Sequence, residues 1–178
     1  MNGCLKQLIG LLGLIILIIL IANRCQYQYS YDNISNEVAK KMVNELEVNH
    51  LNDVSIALFT PLGESQPKIG TYLSNSFRSK VLNLKKSLSL LERTQLNELI
   101  KEYRLITSGY VDRTKAIKIG KLIGVKAIII GEYQVADYWF SQDRITVFIK
   151  AVNLQTGELI VSEEVEANYT DQMKSFDD

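Results

Sequence analysis

"KAIIIGEYQVAD", residues 126 to 137, decides the fold. Its first half is apolar without a break, so a strand here is buried on both faces and needs cover above and below the sheet it joins. Working backward, "TKAIKIGKLIG" (114–124) reads as a short helix stopped by Gly124, which supplies a left-handed end. Working forward, "DRITVFIKAVN" (143–153) alternates, with Ile145, Val147, Ile149 and Ala151 on one side and Thr146, Phe148 and Lys150 on the other. "LQTG" (154–157) is a turn closed by Gly157, and "ELIVSEEVEA" (158–167) places Leu159, Val161 and Val165 on one face. The expected result is two hairpins in series. Gly131 inside the central strand permits a bulge or a close backbone contact.

The earlier residues supply the remaining layers. Ile34, Val38, Met42 and Leu46 recur every four residues between Glu37, Lys40 and Lys41, the stripe of an amphipathic helix over 34–46. "DVSIALFTPLG" (53–63) reads as a buried strand closed by Pro61 and Gly63. In "IGTYLSNSFRSKVLNL" (69–84), Leu73, Phe77, Val81 and Leu84 keep helical spacing. Ser87 to Glu92 reads as a second strand. "RTQLNELIKEY" (93–103) aligns Leu96, Leu99, Ile100 and Tyr103 on one helical face, ahead of the turn "SGYVD" (108–112). This order predicts an α/β fold: a mixed β-sheet with flanking helices and a C-terminal antiparallel meander, preceded by an N-terminal hydrophobic segment. The tail, residues 168–178, is polar and expected to fray.

Leu8 to Ala22 is an unbroken apolar or glycine run preceded by Lys6, the pattern of an export signal. Residues 1–25 are thus a signal peptide or a signal anchor, and both alternatives stand. Lipoprotein processing at Cys25 wants a small residue just before the cysteine, and Arg24 stands there. An uncleaved helix of this run spans about 22 Å, short of a hydrocarbon core of about 30 Å, with Lys6 and Arg24 placed to snorkel. Residues 26–33 carry Tyr27, Tyr29 and Tyr31 and read as a juxtamembrane linker or an interfacial aromatic belt. The α/β domain then covers 34–167.

Charge and cysteine usage exclude several functions. Lys plus Arg equal Asp plus Glu at 20 each, and beyond Cys25 acidic residues predominate slightly, which attracts no nucleic acid. Cys4 and Cys25 are the only cysteines, so the domain has neither a disulfide framework nor a cysteine metal site. His50, the single histidine, has no nucleophile signature beside it and reads as a solvated loop residue. Alternation sends Glu164 and Glu166 to one strand face and Glu163 to the other, the layout of a solvated face. The glycines of "IGKLIG" fall within and at the end of a helix, so they form no phosphate loop. No catalytic residue, cofactor, metal ligand or small-molecule substrate is inferred, and an enzyme is the disfavoured class.

"SLLERTQLNELIKEY", "SGYVDRTKAIKIGKLIGVKAIIIGEY" and "VFIKAVNLQTGELI", in that order, resemble the CsgG-like and FlgO-like bacterial envelope proteins over roughly residues 53–167. The resemblance implies an exported, often lipid-anchored domain that works by assembly: curli subunit export in one branch, flagellar outer-membrane assembly in the other. It implies protein partners in the envelope, including further copies of itself, and no catalysis. Curli-type pores insert long membrane-spanning hairpins, whereas "ADYWFSQD" (136–143) is too short for strands of about 9–11 residues, which favours the non-pore branch. Accessory lipoprotein activators of cell-wall synthases resemble the same fold and are the alternative. Cys25 is the lipidation candidate. Tyr138, Trp139 and Phe140 form an aromatic cluster at a hairpin tip, either a partner contact or a cap folded back on the sheet.

Overall fold

A computed structural model describes residues 11–20, 30–63, 68–84, 89–90, 106–107, 110–136 and 143–176. Residues 11–20 form a helix (α1) whose side chains are exposed. The domain follows as α2 (Tyr31–Val48), β1 (Asp53–Ile56), β2 (Thr60–Pro61), α3 (Gly70–Leu84), β3 (Ser89–Leu90), β4 (Ile106–Thr107), β5 (Tyr110–Val111), α4 (Arg113–Ile123), β6 (Ala127–Ala136), β7 (Arg144–Asn153), β8 (Leu159–Asn168) and α5 (Asp171–Lys174). The main sheet runs β3-β1-β6-β7-β8, with β2 also on β6. β1 and β2 are parallel to β6, while β7 and β8 complete an antiparallel meander. The expected mixed α/β architecture is the observed one.

β6 is buried from Ala127 through Gly131, and each of its faces has its own layer. Ala127, Ile129 and Tyr133 join Ile145, Val147, Ile149 and Ala151 in a large cluster completed by Val38, Met42 and Leu46 of α2 and Leu73, Phe77 and Val81 of α3. Ile128 and Ile130 meet Ala116, Ile119 and Ile123 of α4 in a second cluster on the other face. Each Val, Leu, Ile, Met or Phe side chain removed from water contributes roughly 1.5–3 kcal/mol, so the two-sided burial is the main stabilising term. Asp112 caps α4 by accepting from the Lys115 amide, and Gly124 ends it at φ 69.

Phe59 joins the strands to the helices. β1 stops at Ile56, and the chain leaves the sheet to bury Phe59 before β2 pairs with Glu132 and Tyr133. The stretch 53–63 therefore forms two short strands with a break between them. A Cβ at Gly131 would stand 2.5 Å from the Phe59 ring, and one at Gly70 would stand 1.9 Å from the Phe59 carbonyl oxygen. The Phe77 ring lies 5.9 Å away, tilted by 45°. Gly131 is thus a close-contact glycine; the β6–β7 register runs through it without a bulge.

Several expectations need correction. α2 starts at Tyr31, not Ile34, because the Tyr31 ring is buried and its hydroxyl donates to the Leu73 carbonyl at 3.0 Å. Tyr31 is therefore a core residue and no part of a linker. Leu84 is exposed. Leu159 is exposed as well, since a register shift at Ala151/Val152 pairs Val152 with Leu159 and turns Ile160 toward the large cluster. Of the strand expected over Ser87–Glu92, the described residues Ser89–Leu90 form a strand, and the others lie outside the described residues. Tyr110 and Val111, read as turn, pair with β4 instead. The tail is docked: Thr170 caps α5, Met173 is buried, and the Phe176 ring stacks on Tyr72 at 4.8 Å. The helix expected over 93–103 lies outside the described residues.

Gly131→Ala is expected to lower stability by about 1–3 kcal/mol through overpacking against Phe59. Urea unfolding followed by circular dichroism measures it, and an unchanged midpoint would contradict the contact.

Candidate interaction surface

Among the described residues, several charged side chains are engaged in ion pairs that join elements of the fold. His50 is exposed in the turn after α2, with φ 56. Glu163 faces α2 and pairs with Lys41, whereas Glu164 and Glu166 are exposed on the other face of β8, where Glu166 meets Arg144 at 2.9 Å. This division is the one that alternation predicts. Among the described residues, no group of three or more His, Cys, Asp or Glu side chains is placed to hold a metal ion. Cys25, Tyr138, Trp139 and Phe140 lie outside the described residues; Ala136 opposite Arg144 is the last described pair of the β6–β7 ladder.

Among the described residues, two grooves and one sheet edge are candidate contact surfaces. On the outer side of α4, Leu122 is exposed, and a groove of about 450 Å³ runs past Asp53, Lys121, Lys126 and Gln155. Asp53 and Lys126 pair across its floor at 3.6 Å. β8 is a sheet edge of ten residues, and such an edge offers backbone groups to a neighbouring chain. Its acidic side chains and bulge oppose indiscriminate pairing.

The third place is the corner between α2, α3 and the end of the chain. A groove of about 360 Å³ is lined by Lys68, Thr71, Tyr72, Asn75, Ser76 and Phe176. At its border the Asp32 carboxylate accepts from Ser76 at 2.8 Å and from Lys80 at 2.7 Å, and Lys80 also donates to Ser76. The Lys80 hydrogen bond holds the Asp32 carboxyl below the usual carboxylate range; partial burial works against this and the Ser76 bond adds to it. Burial, and then the Asp32 charge, raise the Tyr72 hydroxyl. No local pattern announces this corner, because Tyr72 and Phe176 meet only through the docked tail.

No helix among the described residues is long and apolar enough to cross a membrane. The family model for the curli production assembly/transport component CsgG matches residues 28–138, more than half of the sequence. The chain belongs to the CsgG family. That membership makes it, at the coarse level, an accessory or transport-associated protein of the cell envelope. No curated protein matches the chain by sequence. Among solved structures, the LpoB C-terminal domain from Salmonella enterica is 15% identical with a TM-score of 0.51, covering 79% of this chain and 99% of that one. The LpoB C-terminal domain from Escherichia coli is 16% identical with the same score and coverage. The NMR structure of E. coli LpoB gives 14%, 0.51, 79% of this chain and 68% of that one. At these identities the likeness is one of fold.

Because its folded-state pKa is depressed, Asp32 contributes stability that is present above about pH 4 and lost as pH falls through the folded value. Asp32→Asn is therefore expected to melt below the parent at pH 7, with the gap narrowing as the pH falls below about 4. A gap that persisted in acid would remove the carboxylate from the account.

Proposed function

We propose that this chain is a non-enzymatic, membrane-anchored cell-envelope protein that assists assembly or stabilisation of a surface appendage or secretion system through protein–protein contacts. The observation that carries the reading is the CsgG family match over residues 28–138, joined to the brevity of the connection between β6 and β7. Only seven residues link Ala136 to Arg144, whereas each barrel strand would need about 9–11. The reading is therefore of the non-pore, FlgO-like kind, with the domain on the periplasmic side and attached through residues 1–25 or through a lipid on Cys25. Tyr138, Trp139 and Phe140, between the longest paired strands, are the proposed partner contact. The open β8 edge suits association between copies crowded on one membrane.

The second reading, an accessory lipoprotein activator of a peptidoglycan synthase, rests on the fold such lipoproteins share. Crosslinking in cells followed by affinity capture separates the two: flagellar or fibre-secretion components support the first, a penicillin-binding protein the second. An enzyme is the least supported class, because the family the chain belongs to is described as an assembly and transport component.

Trp139→Ala is expected to weaken partner capture or crosslinked oligomers while leaving circular dichroism unchanged; undiminished capture would make the aromatic cluster structural. Full-length protein in planar bilayers is expected to give no large conductance steps, and reproducible steps would reverse the non-pore reading.

A further inference from the structure

We infer that the corner built by the start of α2, the first two turns of α3 and Phe176 rests against the phospholipid surface to which the chain is anchored. The inference rests on the anchored reading above and adds an orientation to it. Whichever anchor holds the protein, the intervening chain is short. Ten residues separate Leu20, the last described residue of α1, from Tyr31, at most about 37 Å over eleven Cα steps, and five separate Cys25 from it, at most about 20 Å over six. The point of entry is also fixed. Tyr31 is 1% exposed, its hydroxyl is bonded to the Leu73 carbonyl, and the next residue, Asp32, is bonded to Ser76, which lines the groove. The tether therefore meets the domain one side chain away from this groove.

The chemistry of the corner matches that position. Phe176 is 52% exposed and stacks on Tyr72, a pair of rings that presents an apolar face beside a phenolic hydroxyl. Around it stand Lys68, Thr71 and Asn75, all exposed. Aromatic rings with a polar edge, and lysine on a long apolar stem, collect where a membrane meets water. The nearby Asp32 charge is answered by Lys80 at 2.7 Å, and Asp177 and Asp178 follow Phe176. The patch thus carries no excess of positive charge, so attraction comes from ring burial at the interface and needs no anionic lipid. A second copy fits the groove less well, because six lining residues fall far short of the roughly 800 Å² per partner that a stable protein interface buries. With this corner down, α4 on the opposite sheet face points away from the membrane, and Leu122 with it.

The test uses full-length protein in phosphatidylcholine nanodiscs carrying a nitroxide-headgroup lipid, read by broadening of backbone amide resonances. Several-fold stronger broadening at Thr71, Asn75 and Phe176 than at Lys121, Leu122 and Gln155 is expected with one copy per disc. Phe176→Glu should abolish that contrast. Thr71→Glu, at an exposed position where folding is not at risk, should reduce it. Equal broadening on both sides, stronger broadening at Leu122, or a contrast that appears only with two copies per disc would overturn the inference. Failure of the protein to float with vesicles would instead overturn the anchored reading on which it rests.

Discussion

Ile128 and Ile130 point into one layer of the protein while Ala127 and Ile129 point into the other, so β6 is satisfied only when both layers are in place. A strand hidden on two sides cannot be held by a hairpin alone. It needs α2 and α3 over one face, α4 over the other, and hydrogen-bonding neighbours on both edges, which β1, β2 and β7 provide. Half-built forms leave several large apolar side chains in water, and the domain is cooperative for that reason.

The close contacts follow from the same demand. α4 can approach the sheet because Gly120 has no side chain; a Cβ there would lie 2.6 Å from Leu154. The start of α4 is fixed to the β7–β8 turn by Arg113, whose guanidinium donates to the Thr156 carbonyl at 2.7 Å and meets Glu158 at 2.8 Å. These exposed pairs each add little stability, but they set the angle of the helix. Lys150 and Glu132 are different, lying 3.7 Å apart and mostly buried. Removing one such partner costs a mostly buried charge this pairing. The charges of this domain thus serve its architecture, which accords with a family defined by assembly and transport.

The central half of the fold was legible because its signals are local. The apolar run of β6, the alternation of β7 and the glycine stop of α4 can each be recognised within a dozen residues. What stayed hidden depended on distant partners. Tyr31 sits in a polar, tyrosine-rich stretch and is drawn into the core by a carbonyl on α3. Phe59 breaks its strand because glycines on β6 and α3 leave room for its ring and backbone. The tail reads as polar by composition, yet Met173 and Phe176, three residues apart, find the core and Tyr72. The bulge that rotates Leu159 outward leaves no mark in an alternating pattern. Of the candidate contacts, Cys25 and the aromatic cluster at 138–140 were visible as chemistry alone, whereas the Tyr72–Phe176 corner exists only once the chain has folded.

The way Tyr31 is held also has a mechanical meaning. A domain tied to a surface at one end, as proposed for this one, receives every pull at that end, and the load would then enter at a helix terminus and not at a strand. Force on the tether meets the buried ring and its bond to Leu73, and then the Asp32 carboxylate gripped by Ser76 and Lys80. These contacts lie across the α2–α3 seam, so tension is shared by two helices before it reaches a strand. The sheet, with its β8 edge, is shielded from unzipping while the outer helix bears the strain.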